Sequence, residues 1–221
     1  MMTDLDMTNF LILIAVGLHA VGYMVRDELR LRALVLSGTA IYLIYYFLVP
    51  GGPLWDAFLA ASLIAIINII MIAVLIWERT TIGMSDAAKR IFKSFGTLTP
   101  GQFRKLYAKA SHNSADIARQ LVKAEERQNR LFLVYQGTVE IGFGGDRHRQ
   151  ATPFFAGEIG FILEDIATAD VFVGAGTKYL SWDYDDVRKM MGRNAKLENA
   201  LIALFSKDLA RKLGRSAPIK P

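Results

Sequence analysis

A glycine followed by a glutamate, Gly157-Glu158, stands where a strand-like stretch gives way to a short apolar helical segment. A carboxylate at such a turn can accept a hydrogen bond from a ribose 2′-hydroxyl. Backbone N–H groups from Glu158 to Gly160 can contact a phosphate. This pair therefore predicts nucleotide binding, although the same carboxylate can instead cap the start of the helix.

The candidate ligand site extends over the turn and the two strands that follow it. The candidate ligand-binding residues are Phe155, Ala156, Gly157, Glu158, Ile159, Gly160, Asp170, Val171 and Lys178.

The component that this stretch lacks is a cation for the phosphate. No arginine or lysine lies between Phe154 and Thr177. A charge-assisted hydrogen bond contributes about 1.5–3 kcal/mol, which corresponds to roughly ten- to a hundred-fold in affinity. Lys178, or Arg147 and Arg149 of the RHR segment, are the candidates for this role. Otherwise RHR is expected to be a solvated loop.

The remaining polar residues indicate neither catalysis nor metal binding. The sequence has no Ser-His-Asp set and no Walker loop, and it contains no cysteine. His112 and His148 have no companion ligands at metal spacing, and the adjacent carboxylates Glu164 and Asp165 are expected to point apart on a turn. The chain is predicted to be a non-enzyme with no metal and no cofactor.

The first third of the chain, residues 1–78, predicts a three-helix transmembrane domain. Hydrophobic residues make up 52% of the 221 residues, and nearly all charge follows Glu78. Segments 8–25, 33–49 and 54–77 approach or exceed the roughly 20 apolar residues that a span needs. The net charge of +5 suits a domain beside an anionic leaflet, and no nucleic-acid partner is expected.

The short loops set the expected orientation in the membrane. Arg26, Arg30 and Arg32 lie between the first two segments, whereas the N-terminal tail and the second loop carry no Lys or Arg. The positive-inside rule then places the N-terminus outside and the C-terminal domain in the cytoplasm. The expected location is the plasma membrane or a bacterial inner membrane, with multiple passes.

Polar residues within the spans allow a weaker hypothesis, a small channel or transporter subunit. His19 and Asn68 are the residues on which it rests; the alternative is that both hydrogen-bond within or between helices. Ala57, Ala61 and Ala65 form a small-residue stripe that permits close helix packing within the set or between protomers.

After the spans, the pattern predicts a connecting helix over residues 79–97 and a small α+β domain over residues 98–215. Thr99-Pro100 is typical of a helix start. Ile117 and 121–122 are expected to be strand pieces, and 131–143 a hairpin turning at Gly137. Short strands at close spacing indicate a small β-roll or barrel flanked by helices.

The chain is expected to end in two helices. Asp183 is the predicted cap of the first. The second carries an apolar stripe of Leu197, Leu201, Leu204 and Phe205, which is expected to contact a partner. A homodimer through residues 197–213 is the prediction.

The order of three spans, short helix, β-roll with a Gly-Glu turn and terminal helix pair resembles the Popeye domain-containing proteins. The similarity is strongest over KYLSWDYDDVRKMM (178–191), LIALFSKDLARKL (201–213) and the RLFLVYQGTVEI segment (130–141). In the terminal segment the resemblance rests on Asp208, Leu209, Ala210, Lys212 and Leu213. It implies a cytoplasmic domain related to the cyclic-nucleotide-binding fold.

The functional motifs of that family match less closely. Its Asp-Ser-Pro-Glu reads Phe-Ala-Gly-Glu here (155–158), and its Phe-Gln-Val-Thr reads Ala-Asp-Val-Phe (169–172). The resemblance implies a membrane-anchored sensor of a cyclic nucleotide such as cAMP, acting through its terminal helices. The alternative is a membrane scaffold whose roll binds no nucleotide. The partners expected are the lipid bilayer, the nucleotide, a second protomer and other membrane proteins.

Overall fold

The structure is a computed structural model that describes residues 4–143 and 146–216. The description does not include the side chains of residues 4–8, 143, 213, 215 and 216. Leu213, one of the residues on which the family resemblance rests, is among them. The chain divides after Thr80 into two compact units.

The first unit consists of three apolar helices: α1 (Asp4–Met24), α2 (Glu28–Leu48) and α3 (Trp55–Arg79). Among the described residues, α2 and α3 are long and apolar enough to cross a membrane. The apolar part of α1, Asn9–Met24, is shorter. All three predicted helices are present, but length and composition support two spans rather than three.

His19 on α1 is a packing residue against α2. A Cβ atom at Gly38 would lie 2.3 Å from Nδ1 of His19, so only glycine leaves room for the ring. Nδ1 lies 2.8 Å from the Ala15 carbonyl oxygen, and Nε2 lies 3.5 Å from Oγ1 of Thr39. The imidazole is therefore engaged by its own helix and its neighbour, as the structural alternative expected.

The small-residue face of α3 is buried within the first unit. Ala61, Ala65 and Asn68 are buried, and Nδ2 of Asn68 donates a hydrogen bond to the Ile64 carbonyl at 3.0 Å. At one end of the unit, Arg79 forms an ion pair of 3.0 Å with Asp27. Asn68 therefore satisfies its amide within α3, and the Arg79–Asp27 pair links the end of α3 to the start of α2.

The second unit opens with two short helices, α4 (Asp86–Phe92) and α5 (Pro100–Ala108). The connecting helix predicted over 79–97 is shorter in the structure, because α3 runs to Arg79 and Ser85 starts α4 by accepting a hydrogen bond from the Ala88 amide. The apolar side of α4 is buried in the core of this unit. Thr99 caps α5 in a capping box with Gln102, as the Thr-Pro pair predicted.

In the described part of the chain, eight strands form two four-stranded antiparallel sheets, which are the β-roll. The first sheet has the order β1-β8-β3-β6 and the second β2-β7-β4-β5. The strands are β1 (Ser111–Ala115), β2 (Arg119–Val122), β3 (Arg130–Gln136), β4 (Val139–Phe143), β5 (Asp146–Gln150), β6 (Phe154–Ala156), β7 (Asp170–Val173) and β8 (Thr177–Asp183).

The predicted hairpin over 131–143 is wrong, because β3 and β4 belong to different sheets. Gly137, with φ of 109°, carries the chain from one sheet to the other. A Cβ atom there would lie 2.6 Å from the Cα atom of Thr177, so the crossing requires glycine. Strands β7 and β8 are also consecutive in sequence, but β7 belongs to the second sheet and β8 to the first.

Two smaller assignments also differ from the structure. Ile117 lies in a bend and is exposed, so it is not part of a strand. The RHR segment is not a loop but part of β5, the exposed edge strand of the second sheet. Charged side chains on such an edge discourage pairing with other strands.

Three helices complete the second unit: α6 (Glu158–Leu163) between β6 and β7, then α7 (Tyr184–Gly192) and α8 (Ala195–Ser216) at the end. Asp183 caps α7, as predicted. The stripe of Leu197, Leu201, Leu204 and Phe205 is buried in the chain's own core. The expectation that this stripe contacts a partner is therefore wrong, because β6, α6 and the short helices already cover it.

Candidate functional site

The Gly157-Glu158 turn joins β6 to α6 in a conformation that requires glycine. Gly157 has φ of 88°. A Cβ atom at this position would lie 2.5 Å from the Arg130 carbonyl oxygen and 3.1 Å from the hydroxyl of Tyr184. That hydroxyl donates a hydrogen bond to the Gly157 carbonyl. The turn is thus held against β3 and α7.

Helix α6 is fixed at its far end by α7. Arg188 forms an ion pair of 2.6 Å with Glu164 and donates a hydrogen bond of 3.1 Å to the Phe161 carbonyl. On the inner side, the ring of Phe161 packs against Phe205 of α8, with centroids 5.8 Å apart. These contacts position Glu158 between the roll and the terminal helix.

A cavity of about 470 Å³ lies beside this turn inside the second unit. Small-molecule sites occupy roughly 300–1,000 Å³, so the volume suits a small ligand. Its apolar wall comes from both sheets and includes Val122, Ile141, Phe154 and Val171. Its polar end is formed by the turn and by α8.

The structure brings seven of the nine predicted site residues to this cavity. They are Phe155, Ala156, Gly157, Glu158, Ile159, Gly160 and Val171. The two others lie elsewhere. Asp170 accepts hydrogen bonds from the Gln120 side chain at 2.7 Å and the Ala124 amide at 2.8 Å. Lys178 is exposed on β8.

None of the three predicted cations lines the cavity. Lys178 is directed away because side chains alternate along β8 and its neighbours Thr177 and Tyr179 are buried. Arg147 stacks on Phe172 at 3.8 Å and lies 4.0 Å from Glu140. Arg149 is exposed on the edge strand. The prediction that one of these three residues serves the site is corrected by these positions.

Two cations of α8, Arg211 and Lys212, line the cavity, and the one that contacts the turn is Lys212, which the sequence did not single out for this role. Its Nζ atom lies 2.5 Å from Oε1 of Glu158 and donates a hydrogen bond of 2.7 Å to the Phe155 carbonyl. It also lies 2.9 Å from Oδ2 of Asp208 and 4.2 Å from the centre of the Phe154 ring. The sequence did contain an indication of this role. Asp208 and Lys212 continue the helical face formed by Leu201, Leu204 and Phe205. A charged residue on a buried face needs a partner of opposite charge.

Glu158 is a buried carboxylate, with only 3% of its surface exposed. Burial raises its pKa above the ordinary value, an effect that Lys212 opposes and the nearby Asp208 reinforces. Burial, together with the charge of Glu158, raises the pKa of Tyr184 as well. The Glu158 carboxylate forms an ion pair with Lys212, and a hydrogen bond from its own backbone amide at the start of α6 also opposes the rise of its pKa.

The arrangement offers a carboxylate acceptor, an ammonium group and an apolar wall around one cavity. Such groups can bind a molecule that has hydroxyls, an anionic group and a flat apolar ring. Helix α6 has six residues, so its aligned peptide dipoles are few. Within 4–143 and 146–216, no group of three or more His, Asp or Glu is placed to hold a metal ion.

Comparisons with solved structures agree with the fold of the second unit. A protein named for cyclic-nucleotide binding from Geobacter metallireducens GS-15 is 17% identical, with a TM-score of 0.51 over 59% of this chain and 98% of that one. A cyclic nucleotide-binding domain from Methylobacillus flagellatus KT is 14% identical, with a TM-score of 0.52 over 59% and 80%. At these identities the likeness shows the fold alone. The predicted cyclic-nucleotide-binding-like β-roll with flanking helices is confirmed.

A search of curated proteins finds no match. A family model described as POPDC1-3, the Popeye domain family, matches residues 7–216. Because the match spans nearly the whole chain, the chain belongs to this family, and the resemblance inferred from residues 130–213 is confirmed.

Proposed function

We propose that this member of the POPDC1-3 family is a membrane-anchored sensor that binds a cyclic nucleotide such as cAMP in the cavity beside Glu158. The observation that carries the proposal is a buried carboxylate facing a 470 Å³ cavity inside a cyclic-nucleotide-binding-like roll. A buried charge lowers stability unless it is paired or hydrogen-bonded. Glu158 is placed to accept a hydrogen bond from a ribose hydroxyl. The apolar wall suits the purine ring.

The membrane part of the proposal rests on the first unit. Helices α2 and α3 meet the length and hydropathy needed for spans, and α1 supplies a third when its polar start is included. The arginines around the first loop favour a cytoplasmic position for that loop, and with it for the roll. The location proposed is the plasma membrane or a bacterial inner membrane.

A homodimer remains part of the proposal, but its contact must differ from the stripe. Leu197 and Leu201 are buried in the chain's own core, so only the outer face of 197–213 is available to a second protomer. Ile202, which is 44% exposed, lies on that face. Other membrane proteins are the remaining class of partner.

Calorimetric titration of the full chain in detergent micelles with cAMP and with cGMP tests the nucleotide proposal. We expect saturable binding that Glu158→Gln weakens at least tenfold, since a hydrogen bond to a charged acceptor contributes about 1.5–3 kcal/mol. Glu198→Gln, on α8 outside the cavity lining, is the matched control. Absence of heat with both nucleotides at millimolar concentration would reject the proposal.

One observation favours a second candidate, a scaffold that binds no nucleotide. The Lys212–Glu158 ion pair satisfies the buried carboxylate without any ligand. Under this alternative, Glu158→Gln leaves cellular function intact once stability is matched. Polar substitution of the exposed Ile202 abolishes partner binding.

A further inference from the structure

Lys212 makes a compact set of contacts at the polar end of the cavity. Its ammonium group lies between the carboxylates of Glu158, at 2.5 Å, and Asp208, at 2.9 Å. Arg211 lies 3.9 Å from Asp208 and shares in balancing that carboxylate. Glu158 is 54 residues away in sequence and has Lys212 as its ion-pair partner among the described contacts.

The cations available to a ligand in this cavity are few. Of the residues that line it in the described part of the chain, Arg211 and Lys212 are the cations. Arg211 is more than half exposed, whereas Lys212 is about one quarter exposed and reaches the turn itself through the Phe155 carbonyl. A desolvated cation interacts more strongly with an anion than a solvated one.

We propose that Lys212 is the phosphate-binding residue of this site, and that nucleotide binding changes the ion-pair partner of Lys212 from Glu158 to the phosphate. The ribose hydroxyl donates a hydrogen bond to the Glu158 carboxylate, and the ammonium group of Lys212 moves from Glu158 to the phosphate. This assignment rests on the proposed function. The cation that cyclic-nucleotide rolls need is then supplied by the terminal helix and not by the roll.

The exchange has a physical reason. Removing the cation from a carboxylate that is 3% exposed is costly unless another donor replaces it. A ribose hydroxyl is such a donor, and it arrives on the same molecule as the phosphate that attracts the cation. A ligand with only one of the two groups therefore cannot drive the exchange as well.

The position of Lys212 on α8 indicates which part of the chain changes its contacts when a nucleotide binds. Leu197, Leu201 and Phe205 lock the first turns of α8 into the core. Lys212 lies two turns beyond Phe205, where Ala210 and Arg211 are exposed. The exchange therefore changes the side-chain contacts of the last turns of α8 and leaves the stripe in the core.

The test compares binding of cAMP with binding of adenosine, which lacks the phosphate. The full chain in detergent micelles is titrated by calorimetry as wild type, Lys212→Met, Lys212→Arg and Lys207→Met. Lys207 is exposed on the same helix outside the lining of this cavity. We expect Lys212→Met to weaken cAMP roughly 10- to 100-fold and not to weaken adenosine, which has no phosphate contact to lose. Lys212→Arg retains most of the affinity for cAMP, and Lys207→Met changes neither ligand.

Lys212→Met leaves Glu158 unpaired, so a second variant protects the test against misfolding. Lys212→Met combined with Glu158→Gln removes both charges, and its ratio of cAMP to adenosine affinity must fall by the same factor. If wild type binds cAMP and this ratio is unchanged, the assignment of Lys212 is wrong and the proposed function stands. If wild type binds no cAMP, both are overturned.

Discussion

The ammonium group of Lys212 on α8 lies 2.5 Å from the carboxylate of Glu158 at the start of α6. This ion pair joins the terminal helix to the turn where the roll opens into its cavity. Glu158 is buried and Lys212 is partly exposed, so the two partners do not contribute equally to stability. The pair therefore links folding, ligand binding and the position of the terminal helix.

A double-mutant cycle on this pair should show strong coupling. Lys212→Met should lower the free energy of unfolding by about 3 kcal/mol, because it leaves Glu158 as a buried unpaired charge. Glu158→Gln should cost less, because Lys212 is partly solvated and keeps Asp208. The combined variant should be near wild type. Urea unfolding of the full chain in micelles, followed by Trp182 in the core and by circular dichroism, measures these values. Additive effects would contradict a direct pair.

The stability difference between wild type and Glu158→Gln should depend on pH. Burial raises the pKa of Glu158 in the folded chain above the ordinary value of 4.5, with Lys212 opposing and Asp208 reinforcing the shift. Between those two pKa values the folded chain holds a proton that the unfolded chain has lost. Wild type should therefore gain stability relative to the variant as pH falls from 7 toward 4.5. Unfolding free energies of both proteins across this range provide the test. A relative loss of wild-type stability would mean that Lys212 lowers the pKa instead.

Gly157→Ala should be far more damaging than Gly176→Ala. Both glycines have positive φ, 88° and 75°, so both substitutions carry a backbone strain of about 1 kcal/mol. Only at Gly157 does the added Cβ meet the Arg130 carbonyl oxygen, at 2.5 Å, whereas Gly176 faces open space. We expect an additional loss of about 2 kcal/mol or more for Gly157→Ala. Similar melting temperatures for the two variants would show that the turn tolerates a side chain.

The ribose contact predicts a particular ligand preference. If Glu158 accepts a hydrogen bond from the ribose 2′-hydroxyl, 2′-deoxy-cAMP should bind the full chain about tenfold more weakly than cAMP. In Glu158→Gln the two ligands should differ by much less, because the charged acceptor has been removed. Competition binding with both ligands on both proteins completes the cycle. Equal affinity of wild type for the two ligands would place the ribose elsewhere.

Much of the second unit was predictable because its signals are local. The Thr99-Pro100 start of α5, the Asp183 cap of α7 and the Gly157-Glu158 turn each depend on residues adjacent in sequence. The division of the strands between two sheets was not predictable in this way. Alternation along β3 and β4 indicates a buried face but does not say which strand pairs with which.

The cation of the site escaped prediction for the same reason. Lys212 is 54 residues from Glu158, and no local sequence pattern connects the two residues. Lys178 was the nearest lysine in sequence, yet alternation along β8 exposes it. The face of α8 carried the useful signal, since Asp208 and Lys212 follow the buried Leu201 and Phe205 at helical spacing.

Photolabelling locates a cyclic nucleotide bound in the cavity beside Glu158. The full chain in micelles is irradiated with 8-azido-cAMP, with and without excess cAMP, and labelled peptides are mapped by mass spectrometry. We expect labelling of cavity-lining segments such as 150–160 or 167–171, which excess cAMP should abolish. Labelling that cAMP does not compete for, or that maps outside the cavity, would contradict binding in this cavity.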